Sequence, residues 1–106
     1  MFTSAFRIML DGDLTEAQLD GLRAAARLAR RGRYGDAWDQ IQGERADEVA
    51  GGRIEVLLIR DDLGGPWELV VNLSGQPAPA AVAAVESDLV TAAAGQGVTV
   101  REVRRR

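Results

Sequence analysis

The apolar positions of the chain follow two different periods, which divide it into strands and helices. "FRIMLDG" alternates apolar and polar residues, and "RIEVLLIRDD", "WELVVNLSG" and "VTVREV" are rich in residues that favour strands. Segments 15–31 and 79–94 instead place apolar residues three and four apart, which is the spacing of one helix face. The pattern therefore predicts four strands and two main helices.

Capping residues define the ends of these helices. Thr15 is a good N-cap, and Gln18 three residues later completes a capping box, while Gly32 is predicted to end the helix. Pro79 begins the second main helix, and Gly95 marks its end. The predicted buried stripes are Leu19, Leu22, Ala25, Ala26 and Ala29 in the first helix, and Val82, Val85, Leu89 and Ala92 in the second.

A short further helix is predicted directly after the first. In "RYGDAWDQIQ", Tyr34, Ala37, Trp38 and Ile41 have helical spacing. The run "LARRGRYGDAWDQI" resembles the inner turn of a tetratricopeptide repeat, but it occurs once, whereas a solenoid stacks several copies. The prediction is therefore an appended helix that ends in a charged loop at "GERADEVAGG".

The order of the elements predicts the fold class. Strand, extended helix, strand, strand, helix and strand form two split βαβ units in tandem. We expect residues 1–106 to form a single α+β domain, a ferredoxin-like βαββαβ sandwich with a four-stranded antiparallel sheet and both helices on one face. This fold hosts many unrelated functions, so it does not name one.

The residue types that are missing narrow the chemistry. The chain has no histidine and no cysteine, and its 13 positive charges are all arginine. The commonest general base, the thiolate and imidazole metal ligands and a lysine amine are therefore excluded, which argues against an enzyme. We predict no cofactor. The net charge of −3 argues against a dedicated nucleic-acid binder.

The sequence also predicts where the protein works. No apolar run approaches the length of a membrane span, and "MFTSAFRIML" lacks the basic region and cleavage site of a signal peptide. We therefore expect a cytoplasmic protein that does not contact a membrane. Arginine without lysine, together with abundant alanine and glycine, favours a GC-rich bacterial coding sequence.

Four aspartates are predicted to meet at one pole of the sheet. They are Asp11 and Asp13 after the first strand, and Asp61 and Asp62 after the second, which runs in the same direction. Divalent cations prefer such ligands, and the arrangement resembles palm-type polymerases and nucleotide cyclases, which transfer phosphoryl groups with two metal ions. The order "RDDLGG" departs from their motifs, however, and Asp and Gly are common turn residues. We favour the turn and keep a metal site as the alternative.

Arginines form a second candidate cluster. Arg23, Arg27 and Arg30 have helical spacing, Arg31 follows them, and Arg104 lies in the last strand. Because this helix and this strand both run toward the edge opposite the aspartates, we predict a basic patch for phosphate, RNA or an acidic partner. No aromatic residues interleave with them to stack bases, so a solvated helix face with local ion pairs is the alternative.

The two faces of the predicted sheet differ from the usual pattern. One face takes the side chains expected to pack on the helices, namely Phe6, Ile8, Leu10, Ile54, Val56, Leu58, Trp67, Leu69, Val71 and Leu73. The other face, ordinarily polar in an antiparallel sheet, still carries four large apolar residues, namely Met9, Leu57, Ile59 and Val70. We predict that these four bind a partner. Two alternatives are a cover formed by the helix around Trp38 and a register slip that exchanges the faces.

Three functions follow from these observations. The first is a small non-enzymatic bacterial interaction module that homodimerises or docks another protein through this face, with the homodimer favoured because symmetric dimers are the commonest oligomers. The second is a divalent-metal-dependent, palm-like phosphoryl-transfer enzyme. The third is a small-molecule-binding regulatory domain that resembles the dimeric α/β-barrel families, whose common catalytic histidines have no counterpart here.

Overall fold

The computed structural model describes residues 3–30, 41–60 and 65–105. Within these ranges the chain forms two helices and five strands of one antiparallel sheet. In chain order they are β1 (Thr3–Leu10), α1 (Glu16–Ala26), β2 (Ile41–Val49), β3 (Gly52–Arg60), β4 (Trp67–Gly75), α2 (Pro79–Gly95) and β5 (Val100–Arg105). Neither described helix combines the length and the apolar character needed to cross a membrane.

The strand order is β2-β3-β4-β1-β5, with β4 in the centre. The predicted α+β class, with an antiparallel sheet and two main helices, is confirmed. The four predicted strands are neighbours in the order β3-β4-β1-β5, which is compatible with the expected ferredoxin-like layout. The prediction of four strands was wrong, because β2 adds a fifth strand beside β3.

The core lies between α1, α2 and one face of the sheet. Nine of the ten predicted core residues of the strands belong to one buried cluster, and Leu73 is partly buried against it. From the helices the cluster takes Leu19, Leu22, Ala26, Val85, Leu89, Ala92 and Ala93. The predicted assignment of the two sheet faces is therefore confirmed, and a one-residue slip of register is excluded for these strands.

The first helix begins as predicted but ends early. Thr15 and Gln18 form the expected capping box, in which the Thr15 hydroxyl accepts from the Gln18 backbone N–H at 3.1 Å. The helix ends at Ala26 rather than at Gly32, because Arg27 adopts the left-handed conformation with φ at 58°. The backbone N–H of Leu28 then donates to Arg23 O at 2.8 Å and closes the helix end.

Strand β2 occupies a segment for which the sequence predicts the end of a helix and a loop. Ile41 was expected in the appended helix and the following residues in a loop, whereas Ile41–Val49 form a strand paired with β3. The rest of the predicted appended helix lies outside the described residues. The positions of β2 that face the helices are Gly43, Arg45 and Asp47, so the strand has no apolar alternation to reveal it.

Two buried arginines fasten β2 to α1. Arg23 of α1 donates from Nη1 to the backbone carbonyl of Gln42 at 3.0 Å. Arg45 of β2 donates from Nη1 to the carbonyl of Ala26 at 2.8 Å. Because each arginine binds a backbone carbonyl of the other element, β2 is held without large apolar side chains on its inner face.

Candidate functional site

The predicted partner residues lie on the sheet face opposite α1 and α2, here called the outer face. The pairing register places its side chains in two rows that cross the sheet. From β2 to β5, the first row is Ile41, Ile59, Glu68, Met9 and Glu102, and the second row is Glu44, Leu57, Val70, Arg7 and Arg104. The structure therefore brings together the four predicted apolar residues. That they bind a partner stays a prediction.

Exposure divides these four residues into two pairs. Leu57 and Ile59 of β3 are half-buried. Met9 and Val70 are only 5% and 4% exposed, although they do not belong to the cluster around the helices. Of the four predicted residues, Leu57 and Ile59 therefore keep the larger accessible surface, and both lie on β3.

An ion pair at the middle of the outer face was missed by the sequence reasoning. Glu68 is 2% exposed, and Arg7 Nη1 donates to its Oε1 at 3.0 Å. A buried carboxylate needs such a partner, because removal from water destabilises its charged form. Alternation already placed both residues on this face in the sequence. It could not indicate that the carboxylate would be buried or which cation would pair with it.

Charged residues flank the apolar part of the outer face. At the β2 end of the second row lies Glu44, and at the other end lie Arg7 and Arg104. Arg104 Nε donates to Glu102 Oε1 at 2.8 Å. The second row is therefore acidic at one end and basic at the other.

The aspartate pole falls only partly within the described residues. Asp11 and Asp13 follow β1 and are exposed, whereas Asp61 and Asp62 lie outside those residues. Asp13 Oδ1 accepts a hydrogen bond from Arg60 Nη1 at 3.3 Å, which brings the ends of β1 and β3 to one pole. In the described part of the chain no three carboxylates come close enough to hold a metal ion. The metal site stays a prediction.

A shallow cleft of about 380 Å³ lies at the same pole. It is lined by Gly12, Asp13, Gly65, Pro66 and Arg101. Nearby, the Arg60 guanidinium lies 4.5 Å above the centroid of the buried Trp67 ring. Arg60 therefore contacts both the Asp13 carboxylate and the Trp67 ring. These two contacts have a structural role, because they close this end of the core.

The predicted basic patch needs correction at Arg23. This residue is 6% exposed, and its guanidinium binds Gln42 O and the Asp20 carboxylate. A side chain that is buried between α1 and β2 cannot bind an external phosphate or acidic partner. Helical spacing was a correct observation, but Arg23 lies on the buried side of the helix because β2 packs there.

The other predicted arginines that the structure describes lie at different places in the fold. Arg27 lies at the C-terminus of α1, where its Nη2 is 3.9 Å from Asp88 Oδ2 of α2. Arg104 is on the outer face of β5. Arg30 belongs to the segment after α1, and Arg31 lies outside the described residues. The arginines that the structure describes are thus distributed over different surfaces.

A second cleft, of about 410 Å³, lies between α1 and α2. Its walls include Arg27 and Arg45, together with the small residues Ala25, Thr91, Ala92 and Gly95. Arg27 faces Asp88, and Arg45 Nη2 donates to Asp47 Oδ2 at 2.9 Å. Because both guanidinium groups are already opposite a carboxylate, the cleft is poorly suited to an anionic ligand.

No family model, curated protein or solved structure matches this chain. Only the geometry of its own residues therefore indicates a function. Among the surfaces described above, the outer face of the sheet combines partly exposed apolar side chains with a charged rim.

Proposed function

We propose that the chain is a small non-enzymatic interaction module that docks a protein on the outer face of its sheet. The observation that carries the proposal is the pair Leu57 and Ile59, which stay half-buried beside Ile41 on the face without α1 and α2. Partly exposed apolar side chains with polar residues around them are a common composition of a protein interface. The expected setting is the bacterial cytoplasm.

The free energy gained by burying Leu57 and Ile59 shows whether these two residues alone could hold a partner. Full burial of a leucine or isoleucine side chain contributes about 1.5–3 kcal/mol. At most about a third of Leu57 and of Ile59 is still exposed, so together they would add at most about 1–2 kcal/mol on docking. Association costs at least about 4 kcal/mol in lost freedom of motion. Contacts beyond Leu57 and Ile59 must therefore contribute to the interface.

Two further observations support a non-enzymatic module. The chain has no histidine, cysteine or lysine, and Asp13, which lines the cleft at the aspartate pole, is paired with Arg60. We also assign the fold to the ferredoxin-like arrangement, extended by β2. The order β3-β4-β1-β5 supports that assignment, because β4 lies between the parallel strands β1 and β3.

The test is the double substitution Leu57→Glu, Ile59→Arg. We expect the wild-type protein to assemble with itself or to capture a protein partner, and the double variant to lose that assembly while circular dichroism reports a folded chain. Val90→Glu is the matched control, because Val90 is 37% exposed on α2, away from the outer face. If the folded double variant assembles as the wild type does, the outer face is not the interface. Should it unfold, the single substitution Leu57→Ser repeats the test.

A further inference from the structure

We infer that the outer edge of β5 pairs with β5 of a second copy of this chain, so that two five-stranded sheets join into one. The inference goes beyond the proposed function, because it concerns the edge of the sheet and not its outer face. The second copy is placed by a two-fold axis that is perpendicular to the sheet and passes between the two Val103 residues. The paired strands then run antiparallel, and the outer faces of both copies point the same way.

The two edges of the sheet differ in how their backbone groups are paired. The strand order makes β2 and β5 the edge strands. At β2, Ala29 and Glu44 exchange two backbone hydrogen bonds of 2.7 and 2.9 Å, so another segment of the chain covers that edge. Along the outer side of β5, no described residue provides such a pairing. An unpaired strand edge is a template for another strand, which makes β5 the open edge of this sheet.

The order of charges along β5 favours one register for this pairing. Glu102 and Arg104 lie on the same face of the strand, on either side of Val103. With the axis at Val103, Glu102 of each copy lies opposite Arg104 of the other, so this pair forms twice. An axis at Glu102 or at Arg104 would instead place two like charges opposite each other. The charges therefore oppose these neighbouring registers, and their self-complementary order selects a second copy as the partner.

The charges toward the ends of β5 are compatible with the same axis. It brings Arg101 of one copy near Arg105 of the other, and Arg105 already donates to both oxygens of Glu86, at 3.0 and 2.7 Å. Among the described arginines, Arg101 is the one that forms no ion pair with a described carboxylate. A carboxylate has about four lone-pair sites, so Glu86 can also accept from Arg101 of the second copy. An acid thus lies between the two like charges.

An exposed apolar side chain lies above the open edge. Glu86 binds Arg105, so this side of α2 faces β5. Val90 follows Glu86 by one helical turn and lies on the same side. It is 37% exposed, and no other large apolar residue in the described ranges is as exposed. Since α2 and β5 run in opposite directions, one helical turn from Glu86 and two strand residues from Arg105 both cover about 6 Å, which places Val90 level with Val103. The axis therefore brings the two Val90 side chains toward each other.

The expected dimer is weak. Its six-residue strand extends about 20 Å, so the edge and the flank of α2 together bury less than the roughly 1,200 Å² of a stable interface. About four to six backbone hydrogen bonds would join the two strands and fix their geometry. We therefore expect a dissociation constant of about 0.1–1 mM.

Exchange of charges tests the register as well as the dimer. Sedimentation equilibrium at up to about 2 mM is measured on the wild type, on Glu102→Arg, on Arg104→Glu and on an equal mixture of the two variants. Either variant alone places like charges opposite each other twice, so dimerisation should weaken by about fivefold or more. In the mixture both contacts again join an acid and a base, and dimerisation should recover. Glu48→Arg is the matched control, because it removes the exposed Glu48–Arg53 pair of 3.3 Å at the other end of the sheet.

Backbone hydrogen exchange locates the contact. Between about 50 µM and 2 mM, the amides of β5 should become more protected, because those that point away from β1 gain acceptors in the second copy. The amides of β2 should exchange at the same rate throughout. Protection that rises in β2 or β3 and not in β5 overturns the edge pairing.

The possible results separate this inference from the proposed function. Val90→Glu should weaken the edge dimer, whereas Leu57→Glu, Ile59→Arg should leave it intact. Self-association with the reverse pattern overturns the edge and supports the outer face as the interface. If the expected pattern is found, the proposed function is judged by whether a captured protein is lost on Leu57→Glu, Ile59→Arg.

Three further results would overturn the edge pairing and leave the proposed function untouched. The first is a wild type that stays monomeric at about 2 mM. The second is a dimer that both charge variants form as tightly as the wild type does. The third is a dimer that the mixture of variants fails to restore.

Discussion

Replacement of Arg23 by alanine tests whether a buried arginine fastens an edge strand to a helix. Arg23 is enclosed between α1 and β2, where Nη1 donates to Gln42 O at 3.0 Å and Nη2 contacts the Asp20 carboxylate. Gln42 is itself 2% exposed. Loss of the guanidinium therefore removes a hydrogen-bond donor from a carbonyl of a buried residue that water does not readily reach.

The expected cost follows from two contributions. A hydrogen bond from a charged group is worth about 1.5–3 kcal/mol net in mutational series. Truncation to alanine also removes two buried methylene groups, at about 0.8 kcal/mol each. We therefore expect Arg23→Ala to lower the free energy of unfolding by about 3–5 kcal/mol. Total stabilities of small domains are about 5–15 kcal/mol, so the loss is large enough to measure without ambiguity.

Arg30→Ala is the matched control, because Arg30 Nη1 lies 3.8 Å from the same Asp20 carboxylate but the side chain is half exposed. Exposed ion pairs contribute about 0–1 kcal/mol, so this variant should stay close to the wild type. Urea denaturation followed by circular dichroism gives both free energies. Native-state hydrogen exchange should in addition report faster exchange in β2 of the Arg23 variant than in β1 and β4.

A small effect would refute this reasoning. If Arg23→Ala and Arg30→Ala both change the free energy of unfolding by less than about 0.5 kcal/mol, the buried hydrogen bond does not hold β2. If the stability falls but exchange accelerates equally in all strands, β2 is not a separately fastened element. In that case the loss is one of general packing.

Two smaller predictions concern the helices. Arg27→Gly should raise the free energy of unfolding by about 0.5–1 kcal/mol, because glycine adopts the left-handed φ of 58° without steric strain; a lower midpoint in urea denaturation would contradict this. A Cβ at Gly21 would overlap the Gln96 side chain. Alanine favours a helix over glycine by about 1 kcal/mol, so Gly21→Ala should raise the free energy of unfolding by that full amount only when Gln96→Ala removes the overlap. Equal gains with and without Gln96→Ala, in a double-mutant cycle, would contradict the overlap.

The parts of the fold that the sequence predicts correctly are those set by local periodicity. Phe6, Ile8 and Leu10 alternate along β1, and all three enter the buried cluster. Thr15 and Gln18 form the predicted capping box, because its two hydrogen bonds join residues only three apart. Such signals depend on the segment alone, so a sequence contains them completely.

The parts that it misses depend on partners distant in the chain. Arg45 occupies an inward position of β2 where an apolar residue is expected, and its Nη1 donates there to the carbonyl of Ala26. Glu68 is buried on the outer face, where Arg7 donates to its carboxylate. Arg27 ends α1 in a conformation usually reserved for glycine. In each case the residue type alone indicates a different environment from the one that tertiary contacts create.

The distance in sequence between β1 and its partner strands also matters while the chain is being synthesised. Both strands that pair with β1 come much later, since its neighbours are β4 and β5. Ribosomes add about 5–20 residues per second, so β5 emerges roughly 5–20 s after β1. Until β4 emerges, roughly 3–12 s after β1, Phe6 and Ile8 have neither of these neighbouring strands beside them. The nascent chain, rather than the mature protein, is therefore the form of this molecule that is most exposed to aggregation.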